Sequence, residues 1–152
     1  MINEPLHKLF HDLSGPIGTI NTMSQICVSY ITTFNMERLE GKLKENLTNS
    51  YKNIFSCREK ISEQLKLVVA ELDKIESKDI ADTLQEYINH GLQDLKEVEE
   101  ACERSYSYLL KYDTKENLLR FGEELKGFQP VCQSMVRAMS WCKEKLATAG
   151  KY

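Results

Sequence analysis

The chain has 152 residues, of which 41 % are hydrophobic and 28 % charged, a composition that favours one soluble domain covering residues 1–152. Its net charge is −3 and its 20 Lys and Arg residues are scattered, which argues against a role built on neutralising a nucleic-acid backbone. No run of about 18 apolar residues and no basic-then-apolar leader occurs, so we expect no membrane span, no secretory signal and a cytoplasmic location.

The first predicted helix runs from Asn3 or Glu4 to Phe34. Seven glycines and three prolines are few for 152 residues, and apolar positions recur at helical spacing along nearly the whole chain, which predicts an all-α fold. The apolar seam of this helix is Leu6, Phe10, Leu13, Ile17, Ile20, Ser24, Cys27, Ile31 and Phe34. His11 is one position off this seam and His7 is one turn earlier, so we expect a partly exposed imidazole at the edge of the seam.

The second predicted helix follows a weak stretch at residues 35–41 and extends to about Glu76. Its seam is interrupted at Arg58. The seam positions are Leu43, Leu47, Tyr51, Ile54, Ile61, Leu65, Val68, Leu72 and Ile75.

The third predicted helix begins after the short connection 77–79, with Ser77 or Asp79 as its N-cap, and ends near Tyr112. Its seam is Ile80, Leu84, Ile88, Gly91, Leu95, Val98, Cys102, Ser105, Leu109 and Tyr112. His90 is interpreted as a surface or core histidine. The aromatic residues at helical spacing are interpreted as core or seam residues: Tyr106, Tyr108, Tyr112 and Trp141.

The fourth predicted helix starts at the cap residues 113–116 and ends before Gly150. Its seam is Leu118, Phe121, Leu125, Phe128, Cys132, Met135, Met139, Cys142 and Leu146. Gly127 and Pro130 are two places where it could split. Because the three-four spacing continues across both residues, we favour one kinked, continuous helix.

Four helices of matched length, each about 50 Å long at 1.5 Å per residue, predict an antiparallel up-down bundle. Residues 1–76 would form one helical hairpin and residues 77–152 a second. Five cysteines without a C-x-x-C pair fit neither a disulfide framework nor a zinc site, so we expect them to be small buried hydrophobes. His7 and His11 are four residues apart but lack a third ligand, so no metal site is predicted.

Residues 11–17 read His-Asp-Leu-Ser-Gly-Pro-Ile. Pro16 has no N–H group, so the carbonyl of Asp12 loses its helical donor, and we expect this turn to be kinked or loosened. A loosened turn is a plausible way to present the imidazole of His11.

This stretch resembles the H-box of sensor histidine kinases, in which a phospho-accepting histidine is followed by Glu or Asp and, five positions later, by proline. The specific resemblance covers about ten residues, and the weaker resemblance to that family's dimerisation and phosphotransfer hairpin extends to about residue 76. Ser14 and Gly15 depart from the family, which often has Arg or Asn followed by Thr or Asn. Because the second of those side chains is implicated in phosphatase action, Gly15 puts that activity in doubt.

The second half of the chain departs further, because it has no strand pattern and no glycine-rich nucleotide motif. The resemblance therefore implies a protein that does not phosphorylate itself from ATP and is similar to the stand-alone histidine phosphotransferases. The His-x-Leu-Lys-Gly core of monomeric phosphotransfer domains is also similar, with Ser14 in place of the lysine, although Pro16 fits the kinase hairpin better.

The implied chemistry is attack by a His11 nitrogen on the acyl phosphate of a response-regulator receiver, or the reverse transfer. Asp12 would hold the other ring nitrogen or take its proton, and Lys8 would screen the phosphoryl charge. Mg²⁺ would belong to the receiver, because this chain has no acidic cluster with ligand spacing. No cofactor is expected on this chain. The resemblance implies a homodimer, in which the first two helices pair with a second copy, but the same four helices can also close a bundle within one chain.

Two other readings stay open. One is a non-catalytic helical scaffold or regulator that uses a degenerate H-box as a docking surface. The other is a plain four-helix adaptor unrelated to phosphorelay, in which a change at His11 would alter nothing except stability.

Overall fold

The structure, a computed structural model, describes residues 4–33, 36–111 and 115–149 and is helical almost throughout. The helices are α1 (Glu4–Thr33), α2 (Met36–Leu72), α3 (Lys78–Leu110), α4 (Lys115–Lys126) and α5 (Phe128–Ala149). No strand occurs in the described ranges, so the prediction of an all-α fold is confirmed. None of the helices in these ranges has an apolar stretch long enough to cross a bilayer.

The predicted seam positions are buried or half-buried wherever the structure describes their side chains, which excludes Leu43, and this confirms the helical register of those stretches. In α1, every seam position from Leu6 to Ile31 is buried, and in α4 and α5 all the predicted positions from Leu118 to Leu146 are buried. Ile75 and Ile80, at the ends of their helices, are only half-buried. The seam positions Phe34 and Tyr112 and the predicted cap at 113–114 lie outside the described residues.

Helix α2 differs from its prediction at both ends. It begins at Met36, so the stretch 35–41 is helical from its second residue onward, and it ends at Leu72 rather than near Glu76. A single glycine inside a helix costs only about 1 kcal/mol relative to alanine, so Gly41 does not interrupt a segment otherwise rich in helix formers. The predicted seam of α2 is interrupted at Arg58, but the preceding residue, Cys57, is buried and continues the buried face of the helix there.

The start of α3 is capped as predicted. Ser77 has an extended backbone, with φ −78° and ψ 109°, and its hydroxyl accepts a hydrogen bond from the backbone N–H of Ile80 at 3.4 Å. Such a cap satisfies one of the four free N–H groups at a helix start.

The predicted fourth helix is interrupted at Gly127, which separates α4 from α5. The N–H of Gly127 donates to the carbonyl of Glu124 at 3.2 Å, a tight turn three residues long. Pro130 does not break the helix, because it lies in the first turn of α5, where its missing N–H would have no helical partner. The expectation of one continuous helix is therefore wrong at Gly127 alone.

All five helices contribute to one cluster of buried side chains. Helix α1 contacts α2, α4 and α5, and helix α3 contacts the same three helices. Along α1 and α2 the contacts run in opposite directions: Gln64 Nε2 donates to the carbonyl of Leu9 at 3.4 Å, whereas Asn53 Nδ2 lies 4.0 Å from Met23 Sδ. Gly91 lets α3 approach α5 closely, since a Cβ there would lie 2.9 Å from Met139 Cε.

One buried hydrogen-bonded group joins α2 to α3. The hydroxyl of Tyr51 donates to the carbonyl of Cys102, and the hydroxyl of Ser105 lies 3.3 Å from the hydroxyl oxygen of Tyr51. Burial raises the pKa of Tyr51 well above its ordinary value of 10.0. The phenol therefore stays neutral and satisfied inside the core.

All five cysteines are buried and free, as predicted. Burial raises the pKa of Cys27 and of Cys102 to about 11 from the ordinary 9.0. Because the thiolate is the reactive and metal-binding form, these thiols behave as small apolar side chains.

Candidate functional site

The turn that carries His11 is anchored by the residues on either side of it. Phe10 and Leu13 are both 0 % exposed, whereas His11 is exposed. Successive residues on an α-helix point about 100° apart, so burial of positions 10 and 13 turns position 11 outward. The structure therefore places the imidazole at the surface, as the seam predicted.

The imidazole of His11 makes no bond of its own. Within the described part of the chain, neither ring nitrogen has a hydrogen-bond or ion-pair partner. The backbone carbonyl of His11 accepts a hydrogen bond from the hydroxyl of Ser14 at 2.7 Å. Both ring nitrogens are thus open to a molecule that approaches from solvent.

Asp12 and Lys8 are exposed, but the structure does not bring either side chain onto the imidazole. No ion pair joins Asp12 to His11 or to Lys8 among the residues that are described. Asp12 is the next residue along the helix and so points away from the ring. That Asp12 orients the imidazole of His11 therefore stays a prediction, and no hydrogen bond or ion pair between the two side chains supports it.

Helix α1 continues through Pro16, which is half-buried. Since proline has no N–H, the carbonyl of Asp12 has no helical donor. The hydroxyl of Thr19 donates to the next-turn carbonyl, that of Gly15, at 3.0 Å.

The surface on the C-terminal side of His11 carries short side chains. Ser14, Gly15, Gly18 and Thr22 are all exposed. A Cβ at Gly15 or Gly18 would meet no atom within 4 Å. A protein partner can therefore approach the backbone of α1 closely beside the imidazole.

No side chains gather into a metal centre around His11. Across the described ranges, no group of three or more His, Cys, Asp or Glu side chains is close enough to hold an ion. His7 is exposed one turn before His11, and this pair has no third partner of those types.

Sequence reasoning missed a second polar cluster, between α3 and α5. His90 Nε2 lies 3.1 Å from the hydroxyl oxygen of Ser134 and 4.0 Å from Asp94 Oδ2. Asp94 is 7 % exposed, and its Oδ2 atom is buried without a hydrogen-bond partner. The available signal was the spacing of His90 and Asp94, four residues apart and hence on one face of a helix.

Two of the aromatic residues expected in the core are instead at the surface. Tyr106 is 43 % exposed and Trp141 is 38 % exposed, and Tyr108 is half-buried. The indole of Trp141 lies beside the imidazole of His90, with 6.0 Å between the two ring centroids. The expectation was wrong for Trp141 because the next residue, Cys142, takes the seam position.

Comparison of the chain with models of protein families, with curated proteins and with solved structures finds no match.

Proposed function

We propose that this chain is a histidine-containing phosphotransfer protein of a two-component phosphorelay, which accepts and donates a phosphoryl group at His11. The observation that carries the proposal is an exposed imidazole with both nitrogens free of partners in the described residues, beside a surface of glycines and short polar side chains. The H-box-like residues 11–17 add the resemblance to a phospho-accepting turn.

In the proposed step, the unprotonated nitrogen of His11 attacks the phosphorus of an aspartyl phosphate on a receiver domain. The new N–P bond forms as the bond from phosphorus to the aspartate oxygen breaks, and the receiver's carboxylate leaves. Mg²⁺ on the receiver neutralises the charge on the phosphoryl oxygens. Lys8, three residues before His11 on the exposed side of α1, can add positive charge as the phosphoryl group arrives.

The architecture we propose is an antiparallel up-down bundle in one domain, with α1 and α2 as the phosphoacceptor hairpin and α3 to α5 as a second hairpin. Two observations support it. The paired contacts between α1 and α2 run in opposite directions. So do those of α3 with the α4–α5 pair, where Arg104 binds Glu124 of α4 and Tyr87 contacts Trp141 of α5. The shared cluster of buried side chains supports a single domain.

The test is transfer of radiolabelled phosphate from a panel of phosphorylated receivers. We expect label on the wild-type chain that is stable in alkali and lost in acid, as a phosphohistidine is. His11→Ala should abolish it, because no other group on the chain is proposed to accept the phosphoryl group. His7→Ala is the matched control: it removes an exposed histidine one turn away and should keep the label.

Label that survives His11→Ala, or the absence of label with every receiver in the panel, would contradict the proposal. Circular dichroism of both variants must match the wild type. This is expected, since neither side chain contributes to the core.

The second candidate function is a scaffold or regulator that docks a receiver without accepting phosphate. One observation favours it: the carboxylate of Asp12 makes no contact with the imidazole it would have to orient. In that case a receiver should bind the chain with equal affinity in the wild type and in His11→Gln, and no phosphate should move.

A homodimer also remains part of the proposal. Because α2, α4 and α5 of the same chain contact α1, the seam of α1 is already covered, and a second copy would have to use another surface. Light scattering after size exclusion measures the mass directly and decides between one and two chains.

A further inference from the structure

A stripe of incompletely covered side chains runs along α3 where this helix borders α2. Leu92, Glu99 and Tyr106 are seven residues apart, which is about two helical turns, so they lie on one side of the helix. The ring of Tyr106 stacks on that of Tyr51 of α2, with 5.8 Å between the centroids and 12° between the planes. Leu92 and Tyr106 are exposed and Glu99 is half-buried. This stripe therefore lies on the side of α3 that is next to α2.

Helix α2 carries a matching stripe. Phe55 and Val69 are fourteen residues apart, and the ring centroid of Phe55 lies 6.2 Å from that of Tyr106. Phe55 is half-buried and Val69 is exposed. A seven-residue repeat of this kind is the spacing by which helices of separate chains pack together. The α2–α3 face is defined by Phe55, Arg58 and Val69 on α2 and by Leu92, Glu99 and Tyr106 on α3.

Arg58 gives this face a positive charge that no acid of the described chain neutralises. Its guanidinium carbon lies 4.5 Å from the ring centroid of Phe55, and the side chain is half-buried. In the ranges that the structure describes, it has neither a hydrogen bond nor an ion pair. A guanidinium is weakly hydrated and binds carboxylates through paired N–H groups, which makes it a common residue in interfaces. Arg58 is therefore open to a carboxylate from outside the chain.

Glu99 gives the α3 edge of the face a negative charge at a similar height. Residues 73–77 connect α2 to α3, so the two helices run in opposite directions, and the bond from Tyr51 to the carbonyl of Cys102 places these two residues at one height. Arg58 is about 10 Å and Glu99 about 4.5 Å nearer to the connection, at about 1.5 Å per residue. Helical side chains lean toward the N-terminus of their own helix, which brings the two charged groups closer in height.

We propose that the α2–α3 face binds the same face of a second copy of this chain. A twofold axis parallel to the helices sets α2 of one copy against α3 of the other, so that Arg58 of each copy meets Glu99 of the other. An acidic partner would attract Arg58 but repel Glu99, and a basic partner would do the reverse. A surface with one charge of each sign, exchanged by the twofold axis, is complementary to itself.

The inference rests on the homodimer that forms part of the proposed function, and it supplies the surface for that homodimer. Because α2, α4 and α5 already cover the seam of α1, a surface outside that seam is needed. His11 lies on α1, which is not part of the α2–α3 face, so a dimer of this kind leaves the imidazole open to a receiver.

The first measurement is the mass of the wild-type chain by light scattering after size exclusion. We expect the mass to rise from that of one chain, 17.6 kDa, toward twice that value as the concentration is raised from about 1 µM to about 500 µM. A chain that stays at the mass of one copy over this range would overturn the proposal, whether or not another protein binds the face.

Charge reversal tests the pairing. Arg58→Glu and Glu99→Arg should each raise the dissociation constant of the dimer at least about thirtyfold, because each sets two pairs of like charges across the twofold axis. Lys60→Glu is the matched control. It makes the same charge change at an exposed position two residues from Arg58, which is on the other side of α2, and should leave the dimer intact.

Mixing the two variants is the sharpest test. In a dimer of one Arg58→Glu chain and one Glu99→Arg chain, both contacts again join opposite charges. The equimolar mixture should therefore reach the mass of two chains at a concentration where each variant alone has the mass of one. A folding defect in either variant would not be repaired in this way, and circular dichroism of each variant alone checks its helix content.

The apolar part of the face is tested by Tyr106→Ala, which should weaken the dimer at least about tenfold, as loss of an interface tyrosine commonly does. Leu67→Ala is its control, because Leu67 is an exposed apolar residue of α2 outside the face. A dimer that persists unchanged in Arg58→Glu, or a mixture that stays at the mass of one chain, would overturn the proposal. Arg58→Glu should still accept phosphate at His11, so loss of the dimer with label retained separates this inference from the phosphotransfer function.

Discussion

The imidazole of His11 is held at the surface by its neighbours rather than by bonds of its own. Phe10 and Leu13 are buried in the core, and the helical turn between them leaves no other direction for position 11. The same one-residue offset separates buried Cys142 from exposed Trp141 on α5. At the residue scale, the position of a residue relative to the buried seam of its helix decides whether its side chain is accessible from solvent.

The thiols give a residue-scale prediction about pH. Burial raises the pKa of Cys142 to about 12, and burial together with the charge of Asp94 raises that of Cys132 to about 12, from 9.0. Above about pH 9 the unfolded chain loses these protons while the folded chain keeps them. The free energy of unfolding should therefore fall as the pH rises from about 9 toward 11, by linkage between protonation and folding.

Urea unfolding at pH 8, 9 and 10 measures this effect. In Cys132→Ala/Cys142→Ala the fall with pH should be smaller, because two of the shifted thiols are gone. At pH 8 a thiol-specific disulfide reagent should label the native protein slowly and all five thiols rapidly after unfolding. Fast labelling of the native chain would contradict the burial of these side chains.

At the scale of the element, α1 carries a proline in its interior and α5 carries one in its first turn. Pro16 removes a hydrogen bond that α1 would otherwise make, whereas Pro130 occupies a position where the N–H has no helical partner. The two prolines should therefore differ in how much each lowers the free energy of unfolding, and they can serve as controls for each other.

Pro16→Ala should stabilise the protein by about 1–3 kcal/mol, because alanine restores a donor to the carbonyl of Asp12. The gain is less than the full cost of an interior proline, since the half-buried ring of Pro16 also packs against its surroundings. Pro130→Ala should change stability by less than about 0.5 kcal/mol, as an exposed substitution away from special features. Urea unfolding followed by circular dichroism measures both values, and equal effects would mean that Pro16 imposes no local cost.

At the scale of the whole molecule, the helices share one interior. Leu13 of α1, Leu65 of α2, Gly91 of α3 and Met139 of α5 line the same region between the helices. A destabilising substitution in the first half of the chain should therefore also lower the stability of the second half.

Leu65→Ala tests this coupling, because Leu65 lies on α2 and the fluorescent reporter, Trp141, lies on α5. The loss of a buried leucine should cost about 2–5 kcal/mol. The urea midpoint measured by Trp141 fluorescence should fall together with that measured by circular dichroism, as expected of a two-state domain. Leu67→Ala, at a position 54 % exposed, is the control and should shift neither midpoint appreciably. A fluorescence midpoint that stays unchanged in Leu65→Ala would mean that the two halves unfold separately.

The sequence by itself determined the helices, their seams and the outward position of His11, because these follow from a local period of 3.6 residues that holds whatever the helices pack against. It named Gly127 and Pro130 as possible breaks but could not decide that the helix ends at Gly127, nor where α2 begins, because the effect of one glycine or proline depends on the helix propensity of the residues around it. Only the tertiary structure decided that α4 and α5 cover α1, that Trp141 lies beside His90, and that Ser134 meets a histidine 44 positions away. It also decided that the Oδ2 atom of Asp94 is buried without a hydrogen-bond partner, 4.0 Å from His90 Nε2. These are properties of two helices in contact, and helix contact depends on how whole faces fit together rather than on the spacing within either one.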